Sequence, residues 1–536
     1  MAEAIPPTSP TPVAELLGTS GAPPDNLGGS TVNVGSNPGD LQAKMAAGAD
    51  PSLALTAAGA HRGNTYICPV GVTYTPVTFP ATTGAGWTCI KSNGALPSGT
   101  RVTASGAQMF KVQSVGVAAP NTARALTFAA NARGYRVIGL EATHPDATDQ
   151  FGLIDFASTA GRLLFERSYL HPHAAQTFMA RVGMVFGSDV QVWDSWLEAW
   201  ALGQDAQALF FRATTRVHLE NNELRATGEN IMLGDQDSAA AAVDVTIKRS
   251  HFFKPLVWRR ALVSGAPNPS WDGKNWVIKN LFEIKWGHRV RLEGNVLENN
   301  WPGQGQDGTA VLCNCGIGTS GQIVDARDVM WRSNVVKNAP SMFTVSNAGA
   351  APARLAYLNN LGLNIGGWFV FFNHAGMADL WLEHNTVVPE DGVAEIVAGG
   401  NRAAILWSSD TGWPRQTIRR NVLWHSAFGL FWDGHANMTT AQAAAAVPDR
   451  DWRENALLNA IGASAVTGFA FHSTHAAAGV DATSGVLSPT SPLKNAGSDG
   501  KDLGVDFTAL IAAQQGIVAP RPSAPVTRLL SATWEP

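Results

Sequence analysis

One phrase recurs along this chain: an alternating apolar strand, a polar pair, a Ser or Asn, then a second short apolar strand. It reads LLFERSYL at 163–170, VQVWDSWL at 190–197, VHLENNEL at 217–224 and VTIKRSHF at 245–252. It returns as VRLEGNVL (290–297), VMWRSNVV (329–336), AYLNNLGL (356–363), LWLEHNTV (380–387) and TIRRNVLW (417–424). The Ser or Asn serves as a marker: Ser168, Ser195, Asn222, Ser250, Asn295, Asn334, Asn360, Asn385 and Asn421. Successive markers stand 27, 27, 28, 45, 39, 26, 25 and 36 residues apart. A base step of 25 to 28 residues with occasional insertions is the length of one solenoid coil. One coil cannot bury its apolar face alone, so the units must stack. Alternation with period two excludes helical-hairpin repeats. A regular leucine frame is missing, and propeller blades need about 40 residues or more.

The expected fold is therefore all-β, a single-stranded right-handed parallel β-helix whose coils rise about 4.8 Å each. At the sharp bend the marker has a job: Asn tolerates a left-handed backbone, and stacked Asn side chains bond from coil to coil. Composition agrees. Charged residues are 15% of 536, and 54 glycines suit many tight turns. A net charge of −4 offers nothing to a nucleic acid. No apolar run reaches the length of a membrane-spanning helix. The four cysteines, Cys68, Cys89, Cys313 and Cys315, have neither a disulfide framework nor zinc-finger spacing.

The chain divides into four parts. Residues 1–35 are Pro/Gly/Ser-rich, without the basic start and apolar core of a secretory signal, and read as a leader or as an anchor onto another subunit. Residues 36–135 hold the first coils, with an N-capped helix from Asp40 to Met45 covering the open end. Residues 136–425 form the central β-helix. Residues 426–536 carry the last coils, a helical insertion at AQAAAAV and an irregular outer tail ending near SPLKNAGSDGKDLGVDF.

The opening DLQAKMAAGAD, rungs such as VTIKRSHFFKP and VRLEGNVLENN, and the ending SPLKNAGSDGKDLG together resemble the pectate-lyase-like superfamily of right-handed parallel β-helix proteins, over about residues 35–507. The resemblance implies the fold and a set of activities: polysaccharide lyases, glycoside hydrolases, epimerases and bacteriophage tailspikes. Neither the paired-Asp motifs of polygalacturonases nor the calcium-binding run of pectate lyases is found. Function has to come from the site.

The site candidates lie in a second recurring phrase: GQD at 203–205, GEN at 228–230 and GQD at 305–307. Each follows its marker by a few residues, so all three fall in one sector of the coil. The rung between carries FFKPLVWRR, with Lys254, Trp258 and Arg259. The catalytic candidates are Glu229, Asp307, Asp205, Lys254 and Arg259; Gln204, Asn230, Gln306, Trp258, Trp286 and Trp301 are candidates for binding substrate. Adjacent rungs would hold Asp205 and Glu229 about 5 Å apart, and two rungs would separate Glu229 from Asp307 by about 9.5 Å. Inverting glycosidases hold their carboxyls about 6.5–9.5 Å apart. Glu229 and Asp307 then serve as acid and base, with Asp205 raising Glu229 by repulsion. Lys254 or Arg259 would hold a sugar carboxylate, or act as the base in the β-elimination that the superfamily's lyases imply. The same phrase is equally a polar ladder with a glycine at positive φ. A third arrangement has Asp205, Glu229 and Asp307 caging calcium; no other cofactor or metal is called for. The histidines (His171, His173, His251, His288, His374) are scattered, and His288 beside Arg289 is the strongest of them.

Three functions remain open. The first is a virion tailspike or fibre that binds a surface polysaccharide, with or without cleaving it; the tailspike resemblance implies a homo-oligomer, a trimer, attached through residues 1–35. The second is a secreted polysaccharide lyase or hydrolase. The third is a non-catalytic structural or decoration rod.

Overall fold

The computed structural model describes residues 4, 6–8, 30–48, 64–82, 86–115, 123–261, 266–303, 308–350, 352–373, 377–389, 403–408, 413–425, 427–432, 434–459 and 466–515. Strands stack in parallel along three faces. On the first, Leu209, Ile231, Phe282, Val311, Phe343, Val370, Ile405 and Leu430 pair in succession. The second runs Val190, Val217, Val245, Val290, Val329, Leu355 and Leu380. The third runs Leu197, Leu224, Phe252, Leu297, Val336, Gly362 and Val387. Parallel strands joined by crossovers wind right-handed, and the chain is a right-handed parallel β-helix.

Alternate side chains point inward and make one core from Val34 to Phe469. Aromatic rings stack from coil to coil within it, as Phe79 on Phe128 at 4.3 Å and Trp331 on Tyr357 at 4.6 Å. A helix, Asp40–Gly48, sends Leu41 and Met45 into this same core.

All nine markers stand in one ladder between the second and third faces. Each backbone N–H donates to the next marker's side-chain oxygen at 2.9–3.1 Å, from Ser168 through to Asn421, and Asn455 adds a further rung. The left-handed residue, however, is not the marker. It is the residue before it: Arg167, Asp194, Asn221, Arg249, Gly294, Ser333, Asn359, His384, Arg420 and Glu454 all have φ between 47° and 66°. The marker's side chain holds the bend by bonding, and its neighbour makes the turn.

A second column of left-handed residues begins the second face: Arg162, Asp189, Arg216, Asp244, Arg289, Asp328, Arg354, Asp379 and Arg415. Its charges alternate in sign. Arg289 donates to both carboxylate oxygens of Asp244 at 2.6 and 3.0 Å, Arg354–Asp328 and Arg415–Asp379 pair likewise, and Arg216 Nε meets Asp189 Oδ1.

The tail lies along the outside of the third face. Val480, Leu493, Leu503, Val505 and Leu510 pack on Val296, Val335, Leu361, Leu363 and Val422. The helix at Thr440–Ala446 begins in a capping box between Thr439 and Gln442. At the other end of the chain, the backbone N–H groups of Ala4 and Thr8 donate to Thr417 Oγ1 (3.1 Å) and Asp328 Oδ1 (3.0 Å). Most of 1–35 lies outside the described residues. No helix among the described residues is long and apolar enough to cross a membrane.

Candidate functional site

The first face carries a cluster of charges where it meets the bend from the third face. Pairing of Leu209 with Ile231 sets Gln207 beside Glu229. Gln207 Nε2 donates to Glu229 Oε2 at 2.7 Å. Lys279 Nζ stands 3.5 Å from Glu229 Oε1 and 2.6 Å from Asp205 Oδ2. Glu283, one coil further, hydrogen-bonds to Glu229 carboxyl to carboxyl. The amides of Asn280 (3.3 Å) and Asn314 (3.2 Å) donate to the two oxygens of Glu283, and Lys285 Nζ lies at 3.9 Å.

Two buried carboxyls in contact cannot both carry charge cheaply. Burial raises Glu283 to about 8, and the charge of Glu229 adds to the shift. Burial pushes Glu229 the same way. The Lys279 ammonium and the hydrogen bonds from Glu283 and Gln207 outweigh it, and Glu229 sits below its ordinary range. Lys279 is raised: burial opposes its charge, but Glu229 and Asp205 favour it. The pair thus holds one proton on Glu283 beside an ionised Glu229. Repulsion by Asp205, expected to raise Glu229, is cancelled because Lys279 stands between them.

The recurring phrase does not align as its spelling suggests. Ala206 and Gln207, not Gln204 and Asp205, lie level with Gly228 and Glu229. Gly203 turns a wider bend at φ 71°, whereas a Cβ on Gly228 would come within 2.5 Å of the Ala206 carbonyl. Asp205 still reaches the cluster through Lys279, while Gln204 is exposed.

Lys254 and Asn230 turn into the bend instead. Lys254 is fully buried, with its ammonium donating to the carbonyls of Ala226 (2.8 Å), Thr227 (3.1 Å) and Gly228. Burial lowers it to about 7. Asn230 Nδ2 donates to Leu224 O at 2.5 Å and Phe253 O at 3.2 Å. These two fix the backbone that presents Glu229. The insertion that makes the 45-residue step between markers returns to the sheet at Lys279 and packs Trp258, Trp276, Ile278 and Trp301 together beside Trp200. Arg259 lies over the Trp301 ring at 5.9 Å. Trp286 is in the turn after Phe282–Ile284, at the far end of that strand from Lys279. Asp307 and Gln306 lie outside the described residues, as does His374.

The remaining histidines stand elsewhere. His288 bonds Asp325 at 2.7 Å, and His251 lies between Glu223 (3.0 Å) and Glu298 (3.4 Å) on the third face. His171 stacks on Tyr169. The ammonium of Lys279 sits between Asp205 and Glu229, the place a caged calcium would need. Another group with ligand spacing, Glu383, His384 and Asp499, is bridged by Arg420.

Sequence reasoning missed Lys279, Glu283 and Gln207. The signal for Glu283 was present in LFEI, where a carboxylate interrupts an otherwise buried strand. Outward from the cluster, Phe210, Met232, Glu283, Leu312, Thr344 and Phe371 form one column, with Trp368 bonding Thr344 at 3.2 Å.

Fold and site together define a parallel β-helix with a buried carboxyl pair on its first face. No family model matches the chain, and no curated protein resembles it. Among solved structures it is similar to an alginate lyase from Paenibacillus sp. str. FPU-7 (12% identity, 66% of this chain and 98% of that one, TM-score 0.43). It is also similar to a surface adhesin of Streptococcus pneumoniae (9%, 82% and 93%, 0.42) and to the Dettilon tailspike protein (10%, 82% and 68%, 0.38).

Proposed function

We propose that this chain binds a polysaccharide along its first face and hydrolyses it at the Glu229–Glu283 pair. The observation that carries this reading is a pair of buried carboxyls, Glu229 and Glu283, with the Lys279 ammonium 3.5 Å from Glu229 alone, an arrangement that favours the proton on Glu283 and the charge on Glu229. Glu283 gives that proton to the glycosidic oxygen as the bond to the anomeric carbon breaks. Glu229, kept ionised by Lys279, stabilises the positive charge that develops on the sugar. Asp307 keeps its proposed role as the base that takes a proton from the attacking water. Lys279 is a poor base for β-elimination because its neighbours hold it charged. Lys254 spends its ammonium on backbone carbonyls.

Incubation with a panel of acidic and neutral bacterial polysaccharides tests this. New reducing ends are expected without the ultraviolet absorbance of an unsaturated uronate. The rate should fall as pH rises through about 8, because Glu283 then loses the proton it donates. The stability this group contributes is lost in the same direction: the folded state favours its protonated form, fully so only below the ordinary carboxylate range. Reducing ends accompanied by absorbance would replace hydrolysis with elimination. No cleavage of any polymer would leave a binding rod.

A virion role of tailspike or fibre type is the finer reading, with residues 1–35 as the attachment and a trimer as the assembly. The alternative is a secreted enzyme. Deleting residues 1–35 should abolish incorporation into particles and leave turnover intact; particles that still carry the shortened chain would sink the attachment role.

A further inference from the structure

Glu283 receives an amide on each of its oxygens. Asn280 Nδ2 donates to Oε2 at 3.3 Å, and Asn314 Nδ2 donates to Oε1 at 3.2 Å. The two donors come from different coils. Asn280 lies three residues before Glu283 and is almost wholly buried. Asn314 belongs to the next coil, where Cys313 pairs with Ile284. Cys313 and Cys315 point into the core, as do Phe282 and Ile284. Alternation therefore turns Asn314 outward onto the surface that carries Glu283, where it is half-buried.

A protonated carboxyl offers one good acceptor, its carbonyl oxygen, because its hydroxyl oxygen donates. A carboxylate accepts at both oxygens. Two amide donors therefore match the charged form of Glu283, and hydrogen bonds to a charged group are roughly twice as strong as neutral ones. The charged groups that face it divide. Burial and Glu229 oppose its charge, whereas Lys285, 3.9 Å from Oε1, and Lys279 on the far side of Glu229 favour it. At that distance Lys285 makes no hydrogen bond, so on Oε1 the directional contact comes from Asn314.

We propose that Asn314 is a positioning residue for the reaction: it holds the carboxylate that Glu283 becomes when its proton passes to the glycosidic oxygen, and so sets how readily that proton leaves. The step balances within the pair and the substrate. The O–H bond of Glu283 breaks, an O–H bond forms on the leaving sugar, the glycosidic C–O bond breaks, and the negative charge stays on Glu283 between the two amides. The proposal rests on the hydrolysis reading above and deepens it by naming a residue that tunes its acid.

The test is Asn314→Leu in the full chain, followed in two ways. The first is the pH profile of hydrolysis on the acidic and neutral polymers of the panel that the unaltered chain cleaves. Here kcat should fall roughly 10-fold with KM unchanged, and the upper limb should move to higher pH by about one pH unit. Mere loosening of the site would admit water, weaken the effect of burial and move the limb to lower pH. The second is the infrared band of the protonated Glu283 carboxyl, identified by its loss in Glu283→Gln and titrated without substrate. Its midpoint should rise with the limb. Asn314→Asp keeps the shape but replaces the donor with an acceptor, so it should move both readings upward too, and it serves if the leucine variant fails to fold. A limb and a band that stay in place or move down, or a raised KM with kcat kept, would overturn the role of Asn314 while hydrolysis stands. If the unaltered chain cleaves none of the polymers, the hydrolysis reading falls and this role falls with it.

Discussion

Replacing Glu229 with Gln is expected to cut hydrolysis of the polymer by roughly 10²- to 10³-fold, the contribution of one group that stabilises charge in the transition state, while leaving the fold intact. Gln has the shape of Glu, and its amide oxygen can accept from Gln207 Nε2 as the carboxylate does. Lys279 keeps Asp205 at 2.6 Å. What disappears is the charge that stabilises the sugar cation and helps hold the proton on Glu283. Burial, the larger cause of the raised Glu283, remains. Any residual activity should therefore lose its upper limb at a lower pH than the unaltered protein. Glu283→Gln should abolish that limb altogether, because the proton donor itself is gone. Initial rates from pH 5 to 10 on both variants, with circular dichroism as the folding control, decide the matter. Full activity in Glu229→Gln would mean that the pair is structural.

The second large effect concerns stability. Asn334 sits inside the marker ladder, almost wholly buried. Its Oδ1 accepts from the backbone N–H and the side-chain amide of Asn295 at 2.9 and 3.0 Å. Its Nδ2 donates to Leu292 O at 3.0 Å and Asn360 Oδ1 at 3.1 Å. Asn334→Ala leaves up to four buried polar groups short of a partner, at about 1–3 kcal/mol for each that finds no other. A loss of roughly 3–6 kcal/mol is expected, read as a shift in urea midpoint. Asn334→Ser should be milder, since Ser195 and Ser250 accept the same backbone bond at their own rungs. In a stack whose coils contact only their neighbours, the damage should be local first, with hydrogen exchange rising nearest coils 295 and 360.

The ladder was legible in the sequence because its logic is local. Strand, bend and marker lie within eight residues, and the spacing of markers gives the coil. The preceding left-handed residue was hidden because its identity varies: Arg, Asp, Asn, Ser, His and Glu all occupy it. The site was only half legible. Glu229 and Asp205 stand out as carboxylates in a recurring phrase, but which residues face them depends on register. Lys279 and Glu283 arrive at the end of a long insertion whose return point the markers do not fix. Gln207, three residues beyond Gln204, is the one that meets Glu229, because the bend at Gly203 is wider than the bend at Gly228. Spelling cannot distinguish these bends.

The alternation of Arg162, Asp189, Arg216, Asp244, Arg289, Asp328, Arg354, Asp379 and Arg415 gives the solenoid a parity. Duplicating or excising a single coil within this stretch would set aspartate against aspartate or arginine against arginine at the junction. Adding or removing two coils restores the order. The hydrophobic core and the Ser/Asn rungs are indifferent to that count, since each coil offers its neighbours much the same surface. The charge column tells odd from even, so gain or loss of coils in pairs keeps its alternation and a single coil breaks it at the junction.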